Sequence, residues 1–200
     1  MIALALLATA AAAQSVEAAE RAFASMAQTG GQWAAFRKFA APDAIMLIDG
    51  PQPALPFLEK LKEPPQPVMW WPARTVTSCD GSLAFSTGPW RRRGGTQTGK
   101  YNTIWRHDGS GWHWVFDGGS SPTEGETGAG IPAGDMVSAK RGLKCRRPVW
   151  GTPEPGAVAG GASLDDSLRW RIDKAEAGYR LRVWFNPDSH PTLEHDAIVS

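Results

Sequence analysis

Asp80 to Trp90 reads DGSLAFSTGPW and Gly99 to Gly119 reads GKYNTIWRHDGSGWHWVFDGG, and how this stretch folds decides the architecture of the chain. Both blocks read as long antiparallel strands separated by glycine-bearing turns. Asp108, Gly109 and Gly111 supply the turn chemistry of a short hairpin loop between Trp105 and Trp114. Folding there sets Trp105 opposite Trp114 and Thr103 opposite Phe116. In that register Tyr101, Thr103, Trp105, Trp112, Trp114 and Phe116 share one face, while Lys100, Asn102, Ile104, Arg106, His113, Val115 and Asp117 share the other. An aromatic face of this extent needs a covering layer, and helices upstream can supply it.

Upstream, Ser15 to Gly31 places Val16, Ala19, Phe23, Met26 and Ala27 on one helical face, with Glu17 and Glu20 near the positive N-terminal end. Trp33, Phe36 and Phe39 recur at helical spacing within Gln32 to Ala40, and Pro42 is expected to end that second helix. Residues 44–49, AIMLID, read as a short buried strand, and PALPFLEKLK (53–62) allows one or two helical turns. A strand over 68–78 carries Pro72, which cannot donate a ladder hydrogen bond and marks an edge or a bulge. The pattern is helix, helix, strand, short helix, then a meander of four strands.

After Gly119 the composition changes to a Gly, Pro and Ser-rich linker, SSPTEGETGAGIPAGD (120–135), so a boundary is expected there. Residues 136–150 allow one more strand, and SLRWRID (167–173) with YRLRVWF (179–185) reads as a final hairpin turning around Ala175 to Gly178. Two strands are marginal alone, so this unit is expected to dock on the main domain or on a partner. The tail HPTLEHD (190–196) lacks a pattern and reads as a solvated terminus. The expected organisation is a signal peptide over 1–13, a main domain over 14–119, and a linker with a β-rich extension over 120–200.

The 200 residues are 42% hydrophobic and 20% charged, enough for one well-cored domain and an appendage. With 22 Gly and 16 Pro beside 10 Trp, strands and turns should dominate over long helices. A net charge of +1 argues against general nucleic-acid binding, which needs a concentrated basic surface. The short basic clusters Arg91 to Arg93 and Arg141 to Arg147 read as solvated loop.

The opening MIALALLATAAAAQS resembles a secretory signal with a small-residue cleavage site, although no Lys or Arg precedes its apolar run. Export to the periplasm or beyond is the expectation, with no membrane span after cleavage. In an oxidising compartment Cys79 and Cys145 can pair, stabilising the fold by roughly 4 kcal/mol if unstrained, and two unpaired buried thiols are the alternative.

The order and spacing of several short motifs carry a family likeness. Glu20, Phe23, Phe36, Phe39 to Ala44 (FAAPDA), Asp80 to Gly88, Tyr101 to Arg106 (YNTIWR) and Trp112 to Asp117 (WHWVFD) resemble the nuclear transport factor 2-like, SnoaL-like superfamily over about residues 15–119. The resemblance implies an α+β, cone-shaped roll: N-terminal helices packed in a strongly bent antiparallel sheet, a pocket between them, and often a homodimer through the outer sheet face. Its members include ketosteroid isomerases, polyketide cyclases, dehydratases, scaffold domains and proteins with no known activity, so the fold underdetermines function.

A catalytic pocket of this kind needs a carboxylate or histidine base and a donor for a developing enolate oxygen. Asp49, at the end of the short strand, and Asp117, at the end of the last meander strand, are the candidate bases, with Tyr101 as donor. Asp117 lies on the face opposite the tryptophans in the simplest register and reaches a pocket only through a bulge. Asp43 reads as a turn former. Trp70, Tyr101, Thr103, Trp105 and Trp114 are the candidate ligand-binding residues, although such indoles more often form core. His107 and His113 fall on opposite faces, so no metal is expected, and no cofactor motif is present. The expected role is binding of a small apolar ligand or a protein partner through the pocket or the sheet face. The alternatives are an isomerase-like or cyclase-like enzyme with a pocket carboxylate as general base, and a purely structural dimer.

Overall fold

A computed structural model describes residues 14–120, 123–124, 138–141, 145, 148–151 and 155–200. The signal-like run at 1–13 and most of the linker lie outside the described residues. Among the described residues the fold is α+β, with few helices and two curved sheets.

Helix α1 (Val16–Gly30) begins where the Ser15 hydroxyl accepts a hydrogen bond from the Ala18 N–H at 3.3 Å, which satisfies one of the free donors of a helix start. Its buried stripe is Val16, Ala19, Glu20, Phe23 and Ala27. Gly31, at φ 102, makes the corner into α2 (Gln32–Phe39). The distant Glu63 caps that second helix, its two carboxylate oxygens accepting from the Trp33 and Ala34 N–H groups at 2.9 and 2.8 Å. Strand β1 (Ala40–Leu47) starts at once, so Pro42 sits within a strand and does not merely end the helix.

Then follow β2 (Pro51–Pro53), α3 (Ala54–Leu58), β3 (Met69–Trp70), β4 (Arg74–Thr77), β5 (Leu83–Arg92), β6 (Gln97–His107) and β7 (Trp112–Gly119). The strand expected over 68–78 is split by Pro72 into β3 and β4, both antiparallel to β5. Beyond β8 (Thr123–Glu124) and β9 (Ser138–Arg141), the first sheet runs β2-β1-β7-β6-β5-β4-β9, with β3 also on β5 and β8 on β6. It is not wholly antiparallel: β1 pairs with β7, and β9 with β4, in parallel.

The β6–β7 hairpin departs from the simplest register. Trp105 faces Trp114 as the turn dictates, but Ile104 pairs with Phe116 and Thr103 with Asp117, because a bulge at Val115 inserts one residue. Every side chain past the bulge changes face. Phe116 therefore joins the outer face and Asp117 the inner one, reversing the assignment made from alternation alone.

The two faces are covered by different parts of the chain. On the inner face Phe23 meets Trp70 and Trp105 at ring separations of 4.8 and 5.9 Å, and Phe36 meets Trp114 at 6.0 Å. On the outer face lies a second sheet, β10 (Ala159–Ala162), β11 (Leu168–Lys174), β12 (Tyr179–Phe185) and β13 (Thr192–Val199), in that spatial order and antiparallel throughout. The expected terminal hairpin is thus the centre of a four-stranded sheet, and the tail read as solvated is its edge strand. Phe116 contacts Trp170 at 5.6 Å and Phe85 contacts His195 at 4.7 Å between the layers. The outer face that the resemblance assigns to a homodimer is occupied by the chain's own extension.

Candidate functional site

Between α2, the end of β1 and the inner face of β5 to β7 lies a cavity of about 240 Å³. Trp33, Phe36, Met46, Leu47, Ile48, Val68 and Trp70 make its walls mostly apolar, and Gln32, Arg92, Tyr101, Asp117, Ser120 and Ser200 give it polar points. Mostly apolar walls with a few placed polar groups are the usual make-up of a small-molecule site.

Asp117 faces this cavity because of the bulge. Its carboxylate accepts a hydrogen bond from the Thr103 hydroxyl at 2.8 Å. Solvent reaches it only in part, and the loss of hydration raises its pKa from 3.8 to about 7 against the pull of that hydrogen bond. Tyr101, one residue pair along the same face, shares a hydrogen bond of 3.0 Å with the Ser86 hydroxyl. Burial, and then the negative charge of Glu20, hold its phenol well above the usual value, so it stays a proton donor at neutral pH.

Glu20 is fully buried at the base of this group. One carboxylate oxygen accepts from the Trp70 indole N–H and the other from the Trp105 indole N–H, each at 2.8 Å. Burial raises its pKa to about 7; the two indole bonds oppose the shift and the charge of Asp117 adds to it. Trp70 thereby belongs both to the cavity wall and to the support beneath it. A carboxyl poised near pH 7 beside a hydroxyl donor can exchange a proton with a bound molecule, the requirement for acid–base work at a carbon next to a carbonyl.

The structure brings Trp70, Tyr101 and Asp117 together at the cavity. Thr103 is wholly buried and serves Asp117 without lining the space. Trp105 and Trp114, expected as ligand contacts, are core: both are fully buried, and their indole N–H groups are taken by Glu20 and by the Phe36 carbonyl. Asp49, the other expected base, is an exposed turn residue at φ 52 outside the cavity lining, held there by the tight link from β1 to β2. Asp43 pairs with Arg106 in a bidentate contact on the surface.

Glu20 was not among the sequence-derived candidates, yet its signal is visible: a carboxylate within the stripe Val16, Ala19, Phe23 and Ala27, four residues from Val16 and three from Phe23. Cys79 and Cys145 form a disulfide with Cα atoms 6.0 Å apart. Among the described residues no three metal-ligating side chains converge, and no helix is long and apolar enough to cross a membrane.

Comparison of the chain with protein-family models, curated proteins and solved structures finds no match.

Proposed function

We propose that this chain is an exported member of the nuclear transport factor 2-like superfamily whose cone interior binds a small, largely apolar molecule. The observation that carries the reading is the aromatic-walled cavity, left open where the helices cover the rest of the inner face. The order of elements and the helices packed inside a curved sheet support the family reading. The disulfide supports export, since such bonds persist in oxidising compartments.

The neutral dye N-phenyl-1-naphthylamine tests the binding reading, because Trp33, Trp70 and Trp90 line the cavity and would transfer excitation to it. Saturable one-to-one binding with that transfer is the expected result. Absence of saturable binding, by this dye and by smaller two-ring apolar molecules, ends the reading.

A second reading is favoured by Asp117: the same cavity is an acid–base active site in which Asp117 removes a proton next to a carbonyl and Tyr101 donates to the resulting enolate oxygen. The raised pKa of Asp117 means the basic form accumulates as pH rises through about 7, so turnover should rise over that interval. Exchange of the α-protons of 2-tetralone in deuterated water, followed by NMR, measures the step directly. Asp117→Asn should slow it about 10²- to 10⁴-fold. Wild-type exchange at the background rate would leave a binding protein only.

A further inference from the structure

The sequence places Arg92 in a basic cluster that reads as solvated loop, but strand alternation turns its side chain the other way. Residues 86, 88, 90 and 92 of β5 share the inner face, so Arg92 lies on the cavity lining while Arg91 packs over Trp71 on the far side. Three features hold Arg92 in place. Its Nε–H donates to the Gln97 side-chain oxygen at 2.6 Å, directly across the β5–β6 pair. Its guanidinium stands 5.6 Å from the Trp90 ring. Trp90 itself lies on Gly99, where a Cβ would come within 2.6 Å of the indole, so the glycine makes room for a ring that could not lie there otherwise.

The result is a half-buried arginine side chain, oriented before any ligand arrives, with no carboxylate partner among the described side chains. Resting on the proposal that the cavity binds a small molecule, we propose that Arg92 is its anion anchor, so that the ligand is an amphipathic acid: an apolar body with one carboxylate, sulfonate or comparable head group. A guanidinium pairs with such a group through parallel charge-assisted hydrogen bonds. Pairing also relieves the cost of keeping the cation partly out of water.

The sheet sets the ligand's direction. Gly88 pairs with Tyr101, and Arg92 lies four residues further along β5, about 13 Å along the strand. The head group therefore sits at the Arg92 end, and the apolar body points past Trp90 and Trp70 toward Tyr101 and Asp117. The cavity keeps its two ionisable ends apart, and Asp117, uncharged below about pH 7, does not repel the acid there.

The test compares N-phenyl-1-naphthylamine with 8-anilinonaphthalene-1-sulfonate, which has the same ring framework with a sulfonate added, by fluorescence titration of the full chain. Wild-type protein should favour the sulfonate. Arg92→Gln should weaken the sulfonate about tenfold or more and leave the neutral dye within a factor of about two. Arg92→Lys should restore part of the loss, as a point charge does at a site built for a fork. Val68→Trp, which fills the cavity, should abolish both dyes. An equal loss of both dyes in Arg92→Gln, no loss of the sulfonate, or sulfonate binding that survives Val68→Trp each overturns the anchor while leaving the binding reading intact. Failure of both dyes on wild-type protein removes the anchor and the binding reading together.

Discussion

Glu20 shows how one side chain can be both support and liability. Both its oxygens are committed to indole N–H donors, and no solvent reaches it. Its pKa in the fold, about 7, lies above the ordinary 4.5, so between those values the native state holds a proton that the unfolded chain releases. The stabilisation from that proton is fully present below about pH 4.5 and is lost as pH rises through 7. Glutamine fills the same space but keeps one acceptor, so one indole N–H is left without a partner, at a cost of about 1–3 kcal/mol. Glutamine also has no proton to lose. Glu20→Gln is therefore expected to be clearly less stable than wild type at pH 5, with the gap narrowing by pH 8, in urea unfolding at the two pH values. Curves that stay parallel from pH 5 to 8 would mean that Glu20 does not titrate in this range. At the same scale, Asp117 was legible as a candidate but not as a pocket residue, because one aspartate at a strand end carries no mark of the face it will take.

At the scale of elements, the strands and their turns were written plainly, and the irregularities between them were not. The Asp108 to Gly111 loop, the pairing of Trp105 with Trp114 and the interruption at Pro72 all appear as the residues require. The bulge at Val115 left no local trace, because Trp112, Trp114 and Phe116 alternate more cleanly without it, and no Gly or Pro marks the position. β13 was hidden for another reason. Its Glu194 and Asp196 look like a solvated tail until Arg74, Lys140 and Arg180 are placed beside them, and the first two of those partners lie far away in sequence. The break at Pro72 yields a sharper prediction. The Trp71 and Ala73 N–H groups bond the Pro89 and Thr87 carbonyls around Gly88, and a Cβ on Gly88 would lie 2.1 Å from the Trp71 carbonyl oxygen. That oxygen is backbone and cannot rotate away. Gly88→Ala should separate the β3–β4 segment from β5 at a cost of about 1–3 kcal/mol, the range for overpacking, or more. Gly109→Ala, in an open turn at φ 90, should lose only about 1 kcal/mol from its backbone conformation. Denaturant midpoints that rank the two variants the other way would contradict the close contact.

Over the whole molecule, the first sheet is a middle layer with helices on one face and the second sheet on the other. Phe85, Ile104 and Phe116 are wholly buried on the outer face, and Leu168, Ile172, Leu181, Val183 and Phe185 are buried in the sheet that covers it. Without that cover the aromatic middle layer would expose an apolar surface of the kind that drives association. Polar contacts fix the edge of the interface: the Cys79 N–H donates to the Ser167 hydroxyl at 2.9 Å, and the Asp80 and Asp165 carboxylates each accept the other's backbone N–H, at 2.8 and 3.0 Å respectively. The disulfide leaves the chain at that corner and reaches Cys145, which follows β9, the parallel strand on β4. With its ends 66 positions apart in sequence, the link should stabilise the fold by about 4 kcal/mol, acting mainly on the unfolded chain. The packed interface between the sheets does not depend on it. Cys79→Ser combined with Cys145→Ser should therefore lower the unfolding free energy by up to about that amount while leaving one cooperative transition. Hydrogen exchange can follow it at amides of β6 and of β12 together. Loss of protection in β12 at a lower denaturant concentration than in β6 would show that the bond, and not the contact of Phe116 with Trp170, is what joins the two sheets into one unit.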